Sequence, residues 1–375
     1  MHTVLLDAGK AFDRIDHTIL LSHLAEIGVS GTSLSWFWSY LSGRRIRTRV
    51  DGAVPKPLQV TSGVPQGSVL GPLLYLLHVK DVPRRTEGGC ALFADYTMLY
   101  RCGCTALRQL PCCPLEGDLQ QFSVWAEENK VAFNASKSAT LLVGGKSGRK
   151  FLQCLHVNNA PVPHNQSHRH LVVVLSKSLR WDDHISHVLK LIAAPLALCK
   201  VLAYRHRLPP SCIRRFYCAF VRPRLEYCSA VWGGCCRKLQ NRLEGVQLQA
   251  ARAIVQLPHL GHKDLLFRSN LPSLGWRRKI HRLEMLWKLV NNEGPPQLQA
   301  LLPRDAASRC HYSLRAAHSL EFPESSSSRT LGSFLGLSIP EWNSLPLEVV
   351  SAPSCSSFRS RACAFFAPDR FSLTV

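Results

Sequence analysis

Leu92-Phe93-Ala94-Asp95-Tyr96-Thr97-Met98-Leu99-Tyr100 is the stretch on which the reading of this chain turns. Apolar residues flank a single acid on both sides. Alternation about a central break predicts strand, tight turn, strand. A carboxylate on such a turn is held rigidly, which suits a metal ligand, and Asp95 is the candidate. Its neighbour, where a second acid would complete a cation site, is Tyr96. Upstream, residues 3–7 form a short apolar run that ends at Asp7. If the two strands share a sheet, Asp7 and Asp95 can face one cavity. Acids at strand ends are commonplace, so spacing alone favours two unrelated acids over a shared site.

Composition narrows the class. A chain of 375 residues has room for two or three domains. A hydrophobic content of 46% excludes wholesale disorder. The net charge of +21 argues for a polyanionic partner, because Lys and Arg that neutralise phosphates gain affinity through counterion release. The fifteen Cys show no zinc spacing. Cys102-Gly103-Cys104 is C-x-C, and Cys112-Cys113 and Cys235-Cys236 are adjacent pairs without matching partners. No zinc site is expected. The amino terminus meets Asp7 before any apolar core forms, and no run approaches the ~18 apolar residues of a membrane span. The expectation is an intracellular protein, nuclear or cytoplasmic, with reduced thiols.

Periodicity predicts a helix over 16–27, with Ile19, Leu20, Leu24 and Ile27 on one face, and an aromatic helix over 34–41. Residues 44–52 read as a hairpin with a charged face. A turn cluster over 62–68 leads into a buried helix over 69–79. Residues 102–117 form a Cys- and Pro-rich loop before a helix over 118–129 and a strand over 137–143. Composition shifts near 146–150, and a strand over 171–175 ends in a turn at Ser176-Lys177-Ser178. Basic helices follow at 183–206, 210–230, 237–256 and 275–292. The fold class is α+β, an antiparallel sheet with packed helices followed by an α-helical domain.

Four blocks carry a resemblance. Asp7-Ala8-Gly9-Lys10-Ala11-Phe12-Asp13, Gly63-Val64-Pro65-Gln66-Gly67-Ser68-Val69-Leu70-Gly71-Pro72, Phe93-Ala94-Asp95 and Asn134-Ala135-Ser136-Lys137-Ser138 resemble, in order, the palm motifs of reverse transcriptases of LINE-type, non-LTR, Jockey-like retrotransposons. The block from Gly63 to Pro72 is the most specific. The resemblance implies a palm over 1–147 and a palm end with a primer-grip-like hairpin over 148–181. It further implies a thumb-like helical domain over 182–300 and a partly irregular tail over 301–375 containing Trp342-Asn343-Ser344-Leu345-Pro346. Such enzymes hold two Mg²⁺, or Mn²⁺, to activate the attacking hydroxyl and bind the triphosphate. Asp7 and Asp95 then match the metal-binding, catalytic acids. Phe12 matches the aromatic gate under the incoming sugar, and Gln66 and Gly67 match the loop beside the nascent base pair. Lys137 matches the lysine near the leaving pyrophosphate. Gly63 and Gly67 would let the backbone approach without a Cβ. The implied partners are an RNA template and a DNA primer. Arg44, Arg45, Arg47, Arg49, Arg214, Arg215, Arg277 and Arg278 are candidates to track their phosphates. The oligomeric state is not implied.

Each of these residues also has a plain structural reading. Phe12 can be core, Gln66 can brace a turn, and Lys137 can be a surface lysine. Asp13 and Asp16 read as cap or solvent residues, Asp118, Asp182 and Asp183 as helix caps, and His17 and His184 as surface residues. Phe12 and the Gly63–Pro72 block argue against an RNA-dependent RNA polymerase. Two departures from the family pattern stand out. Tyr96 replaces the second acid of the catalytic turn, and a phenol is neutral at pH 7. The chain also begins at the first motif, so the fingers and endonuclease of such elements are expected to be missing. Val172 stands where relatives usually have Gly, and Ser176 where Asp is common. The expected function is a retrotransposon polymerase remnant with impaired synthesis. The alternative is a non-catalytic nucleic-acid-binding protein of the same descent.

Overall fold

The computed structural model describes residues 1–102, 114–134, 136–144, 155–157, 160–257, 259–303, 319–322 and 328–372. The chain divides into two compact units, Met1–Leu179 and Arg180–Val375. The composition shift at 146–150 and most of the Cys- and Pro-rich loop lie outside the described residues.

The first unit is built on a strand buried along both faces. β1 (His2–Asp7) runs between β5 (Tyr96–Arg101) and β6 (Ala139–Leu142), antiparallel to both, and β4 (Gly89–Phe93) pairs with β5 to give the order β4-β5-β1-β6. Val4 and Leu6 point into one core with Leu99, and Leu5 points into a second with Leu141 and Val143. Alternation along the pleat sends successive side chains to opposite faces, so four consecutive buried residues require cover on both sides.

Helices provide the larger cover. α1 (His17–Glu26) starts at Asp16, whose carboxylate accepts from Thr18 N and Ile19 N, and contributes Leu20 and Leu24. Its expected fourth face residue, Ile27, lies past the helix end and is exposed. α2 (Gly31–Leu41) begins three residues earlier than expected. The two-stranded hairpin β2 (Arg45–Ile46) and β3 (Leu58–Gln59) follows. α3 (Leu70–His78) buries Gly71, Leu74, Tyr75 and His78 at helical spacing, while Val69, Leu73 and Leu76 face solvent. That helix is therefore amphipathic rather than buried throughout. α4 (Pro114–Glu128) adds Leu119, Phe122 and Trp125. Because it starts four residues before Asp118, that acid is no helix cap. It is buried, and Arg101 Nε donates to it at 2.7 Å.

Two small ladders complete the unit, β7 (His156–Val157) with β8 (Ala160–Pro161) and β9 (Ser167–His170) with β10 (Val173–Ser176). The expected strand over 171–175 is thus displaced. Leu171 and Val172 are the hairpin turn, at φ +47° and +69°.

The second unit is helical among its described residues. It comprises α5 (Asp182–Tyr204), α6 (Pro210–Phe216), a π-turn over 217–221, α7 (Arg222–Glu226), α8 (Ser229–Trp232), α9 (Arg237–Val255), α10 (His262–Arg268) and α11 (Leu274–Val290). After these come α12 (Pro296–Gln299), α13 (Ser328–Leu331), α14 (Phe334–Asn343), α15 (Leu347–Val350) and α16 (Cys355–Phe365). α5 has the length and mean hydropathy, 1.7, of a membrane span, yet its stripe Ile185, Val188, Ile192, Leu196, Cys199 and Ala203 is buried in the core with α9. Asp182 and Asp183 occupy its first turn without a side-chain capping bond. His184, expected at the surface, is buried against Trp181 and Trp232. The late Trp342-Asn343 pair is structural. Trp342 is buried against Phe358, and Asn343 clamps Leu320 N and O at 3.0 Å each.

A buried polar network ties α9 to α11. The Glu244 carboxylate accepts from Leu274 N at 3.0 Å and from Gln247 Nε2 at 3.0 Å, and Tyr217 donates to Gln247 Oε1 at 2.9 Å. Burial pushes the Glu244 carboxyl up to about 6 against the opposing pull of Arg278.

Two outcomes follow. Val172 is a β-branched residue in the left-handed region and 51% exposed, so Val172→Gly relieves backbone strain and raises stability by about 1 kcal/mol in chemical denaturation. Glu244 has a folded pKa above its unfolded value, so its contribution is present below pH 4.5 and is lost as pH rises through about 6. Glu244→Gln keeps an acceptor for Leu274 N. Urea midpoints measured from acid to neutral pH should show the variant gaining about 2 kcal/mol over wild type as pH rises through that window.

Candidate active site

The sheet's register brings the two candidate acids to one edge. Asp7 ends β1 directly opposite Tyr96, the first residue of β5. One residue on, Ala8 N donates to Asp95 O at 3.0 Å. The β4–β5 turn is only Ala94 and Asp95, because Phe93 and Tyr96 already pair across it. Ala94 takes φ +49° to close it. Asp95 is half-buried and sits close enough to Tyr75 for its negative charge, after burial, to push that phenol up.

Three further segments converge on this edge. Asn134 N donates to Asp7 O at 2.9 Å, and Lys137 N closes the next turn onto Asn134 O at 3.1 Å. Lys137 is exposed on that turn, and Ser138 Oγ accepts weakly from Asp7 N at 3.4 Å. Phe12 stacks on Tyr75 with ring centroids 5.1 Å apart. Phe12 is therefore half-buried core packing on Tyr75, the ring whose phenol feels the Asp95 charge.

The Gly63–Gly67 loop is tied to the same segment. Gly63 N donates to Ile15 O at 2.7 Å, Val64 N to Phe12 O at 2.8 Å, and Gln66 Nε2 to Asp13 Oδ1 at 2.8 Å. His17, expected at the surface, is half-buried and bonds Gly63 O through Nε2 at 2.8 Å. Gln66 thus braces the loop. The two glycines differ in what they do. A Cβ on Gly63 would lie 2.7 Å from the Asp13 backbone, at φ +83°, whereas Gly67 needs only its φ of +81° and has open space around it.

The β9–β10 hairpin adds residues that the sequence reading passed over. His170 meets the Tyr96 ring edge-on at 5.5 Å. His168 feels the charge of Asp7, although burial dominates and lowers its pKa. Burial likewise lowers that of His170. The alternating Ser167-His168-Arg169-His170 was the available signal.

The candidate arginines separate into kinds. Arg45, Arg47 and Arg49 are exposed, and Arg44 Nη1 donates to Gly63 O at 3.4 Å. In the second unit Arg215 is exposed, and Arg214 donates to Asn270 O at 3.2 Å. Arg277 and Arg278 do not present themselves to a polyanion. Arg277 is paired with Glu226, its Nη2 at 2.9 Å from Oε2. Arg278 is 2% exposed, beside Trp232. Both lie on the inward side of α11, where a helical repeat of basic residues cannot be told from a surface stripe by sequence. Among the described residues, the group of three metal-ligating side chains within 4.8 Å of one another is His23, Glu26 and Asp81, which includes neither Asp7 nor Asp95. Its acids are engaged by Lys80 at 2.9 Å and Arg84 at 3.4 Å.

An antiparallel sheet with packed helices, presenting two acids from a strand end and a tight turn, defines an α+β protein with a candidate cation-binding edge. Residues 1–171 match the family model for reverse transcriptase, RNA-dependent DNA polymerase. The chain is 27% identical over 327 residues to the "Probable RNA-directed DNA polymerase from transposon X-element" of Drosophila melanogaster, covering 82% of this chain and 35% of that protein. It is 27% identical over 282 residues to the "RNA-directed DNA polymerase from mobile element jockey" of the same species, covering 72% and 30%. The jockey protein of Drosophila funebris matches at 27% over 278 residues. Residues 1–171, a little under half of the chain, are thus similar to the reverse transcriptase family, and the relatives matched are RNA-directed DNA polymerases of LINE-type mobile elements such as jockey and the X-element. It spans about a third of the length of the curated relatives it matches.

The glycine geometry yields a paired expectation. Gly63→Ala adds a backbone clash to φ strain and should cost about 2–4 kcal/mol, whereas Gly67→Ala should cost about 1–2 kcal/mol from φ strain alone. Equal losses in thermal unfolding would mean that the Gly63 approach to Asp13 is not tight.

Proposed function

We propose that this chain is a retrotransposon reverse transcriptase segment that retains a nucleic-acid-binding surface and has an impaired nucleotidyl-transfer site. The observation that carries the reading is the register of Asp7 opposite Tyr96. Hard divalent cations take oxygen donors, and Asp7 and Asp95 offer carboxylates from backbone held in place on both sides. Those two residues would hold Mg²⁺ or Mn²⁺, which would lower the pKa of an attacking hydroxyl and neutralise triphosphate charge. The donor set fits one such ion better than two, because the phenol of Tyr96 supplies neither charge nor a second bridging carboxylate. Phe12, held by Tyr75, would floor the sugar position. Gln66 and Gly67 would line the base pair, and exposed Lys137 would meet departing phosphate.

A second reading, a non-catalytic nucleic-acid-binding protein, is favoured by the net charge of +21 and by exposed Arg45, Arg47, Arg49 and Arg215. The two readings differ only in residual chemistry. In primer extension on poly(rA)/oligo(dT) with Mg²⁺, the purified chain should give no more than trace synthesis. Tyr96→Asp should raise it by at least about tenfold, since a restored carboxylate offers several kcal/mol of charge stabilisation. Robust synthesis by the unaltered chain would overturn impairment. No gain from Tyr96→Asp would favour the non-catalytic reading. Binding to the same duplex should weaken steeply as salt rises in either case.

A further inference from the structure

α2 exposes aromatic surface that the candidate site does not use. Trp36 is 52% exposed and Trp38 54%. Trp36 stacks on Tyr40, one helical turn on, with centroids 5.4 Å apart and planes 10° from parallel. Phe37 holds Trp36 edge-on at 5.1 Å while itself packing against the core, and Leu41 is fully buried. Phe37, Tyr40 and Leu41 thus anchor the helix to the core, and Tyr40 holds the exposed Trp36 ring flat and pre-ordered.

The chain that follows the helix is basic. α2 ends at Leu41, the backbone turns through extended Ser42 and then Gly43, and Arg44 reaches Gly63 O at 3.4 Å. Arg45, Arg47 and Arg49 are exposed, and no ion pair among the described residues engages them. From Gly31 to Val50 there is no Asp or Glu. Between Arg44 and Gln59 the one acid is exposed Asp51, against Arg44, Arg45, Arg47, Arg49 and Lys56. A surface with that excess of positive charge selects a polyanion, and an aromatic ring beside it selects one with exposed π-faces. Duplexes hide the faces of their bases, whereas single strands offer them.

We propose that the Trp36–Tyr40 face of α2 is a base-stacking platform for single-stranded nucleic acid, continued by the arginine hairpin toward the Gly63 loop. This rests on the nucleic-acid-binding part of the function proposed above and adds how bases, as distinct from phosphates, are held. Stacking on an aromatic side chain is tolerant of sequence because every base has a π-face. The arginines supply the salt-dependent share of affinity, and the rings supply a share that salt does not remove.

The test uses the full chain and two labelled probes of equal length and charge, an oligo(dT) and an abasic deoxyribose-phosphate oligomer, in fluorescence anisotropy at fixed salt. Wild type should bind oligo(dT) about tenfold more tightly than the abasic probe. Trp36→Ala should abolish that preference while leaving affinity for the abasic probe within about twofold, and Trp36→Phe should keep most of it. Substituting Arg45, Arg47 and Arg49 together by Ala should weaken both probes and flatten the salt dependence. Equal binding of the two probes by wild type would overturn the platform and leave phosphate-driven binding intact. So would a Trp36→Ala loss shared by both probes. Failure to bind either probe would overturn the nucleic-acid reading itself.

Discussion

β1 is hydrogen-bonded on both edges and buried on both faces, and the placement of every candidate catalytic group depends on it. Burying Val4, Leu5 and Leu6 stabilises the unit by roughly 1.5–3 kcal/mol each. A slip of one residue would exchange the two faces and move Asp7 away from Tyr96. The apolar sequence of the strand therefore fixes a polar geometry at its end. The bonds from Ala8 N to Asp95 O and from Asn134 N to Asp7 O then follow from register, not from any attraction between the acids.

That rigidity gives Tyr96 its weight. Position 96 cannot drift relative to Asp7 without breaking β5 from β1, so its side chain decides what β5 places opposite that acid. The phenol finds its own partner in His170, whose imidazole is pushed toward the neutral form by burial. The turn region thereby favours aromatic and imidazole packing where a dication would favour carboxylates. An aromatic side chain at such a position can be neutral for stability while leaving less negative charge beside Asp7 than an acid would.

Much of this was legible in the sequence because it rests on short-range rules. Alternation located β4 and β5, a short apolar run located β1, Asp16 marked the start of α1, and Gly63 announced a turn that tolerates no Cβ. Tertiary context decided what remained. Asp118 reads as a cap by type, but Arg101 on β5 draws it into the interior one turn into α4. His17 and His184 carry no ligand spacing and look like surface residues, yet a distant carbonyl and two tryptophans hold them. Leu171 and Val172 look like strand by composition. They form the turn because Val173–Ser176 must pair back onto Ser167–His170.

The arginines show the same limit in the quantity that first suggested a partner. Net charge is an average over the chain, whereas a polyanion meets particular residues. Arg101, Arg277 and Arg282 are matched by Asp118, Glu226 and Glu341, and Arg278 is buried, so part of the basic count serves the interior. Removing one partner of such a pair leaves a buried charge, and the penalty falls on folding before it can fall on binding. Arg45, Arg47 and Arg49 stand exposed on a short hairpin whose one acid between Arg44 and Gln59 is Asp51, so a net positive charge there faces outward. A polyanion would therefore gain affinity from that stretch, while the arginines of α11 act first in holding the second unit together.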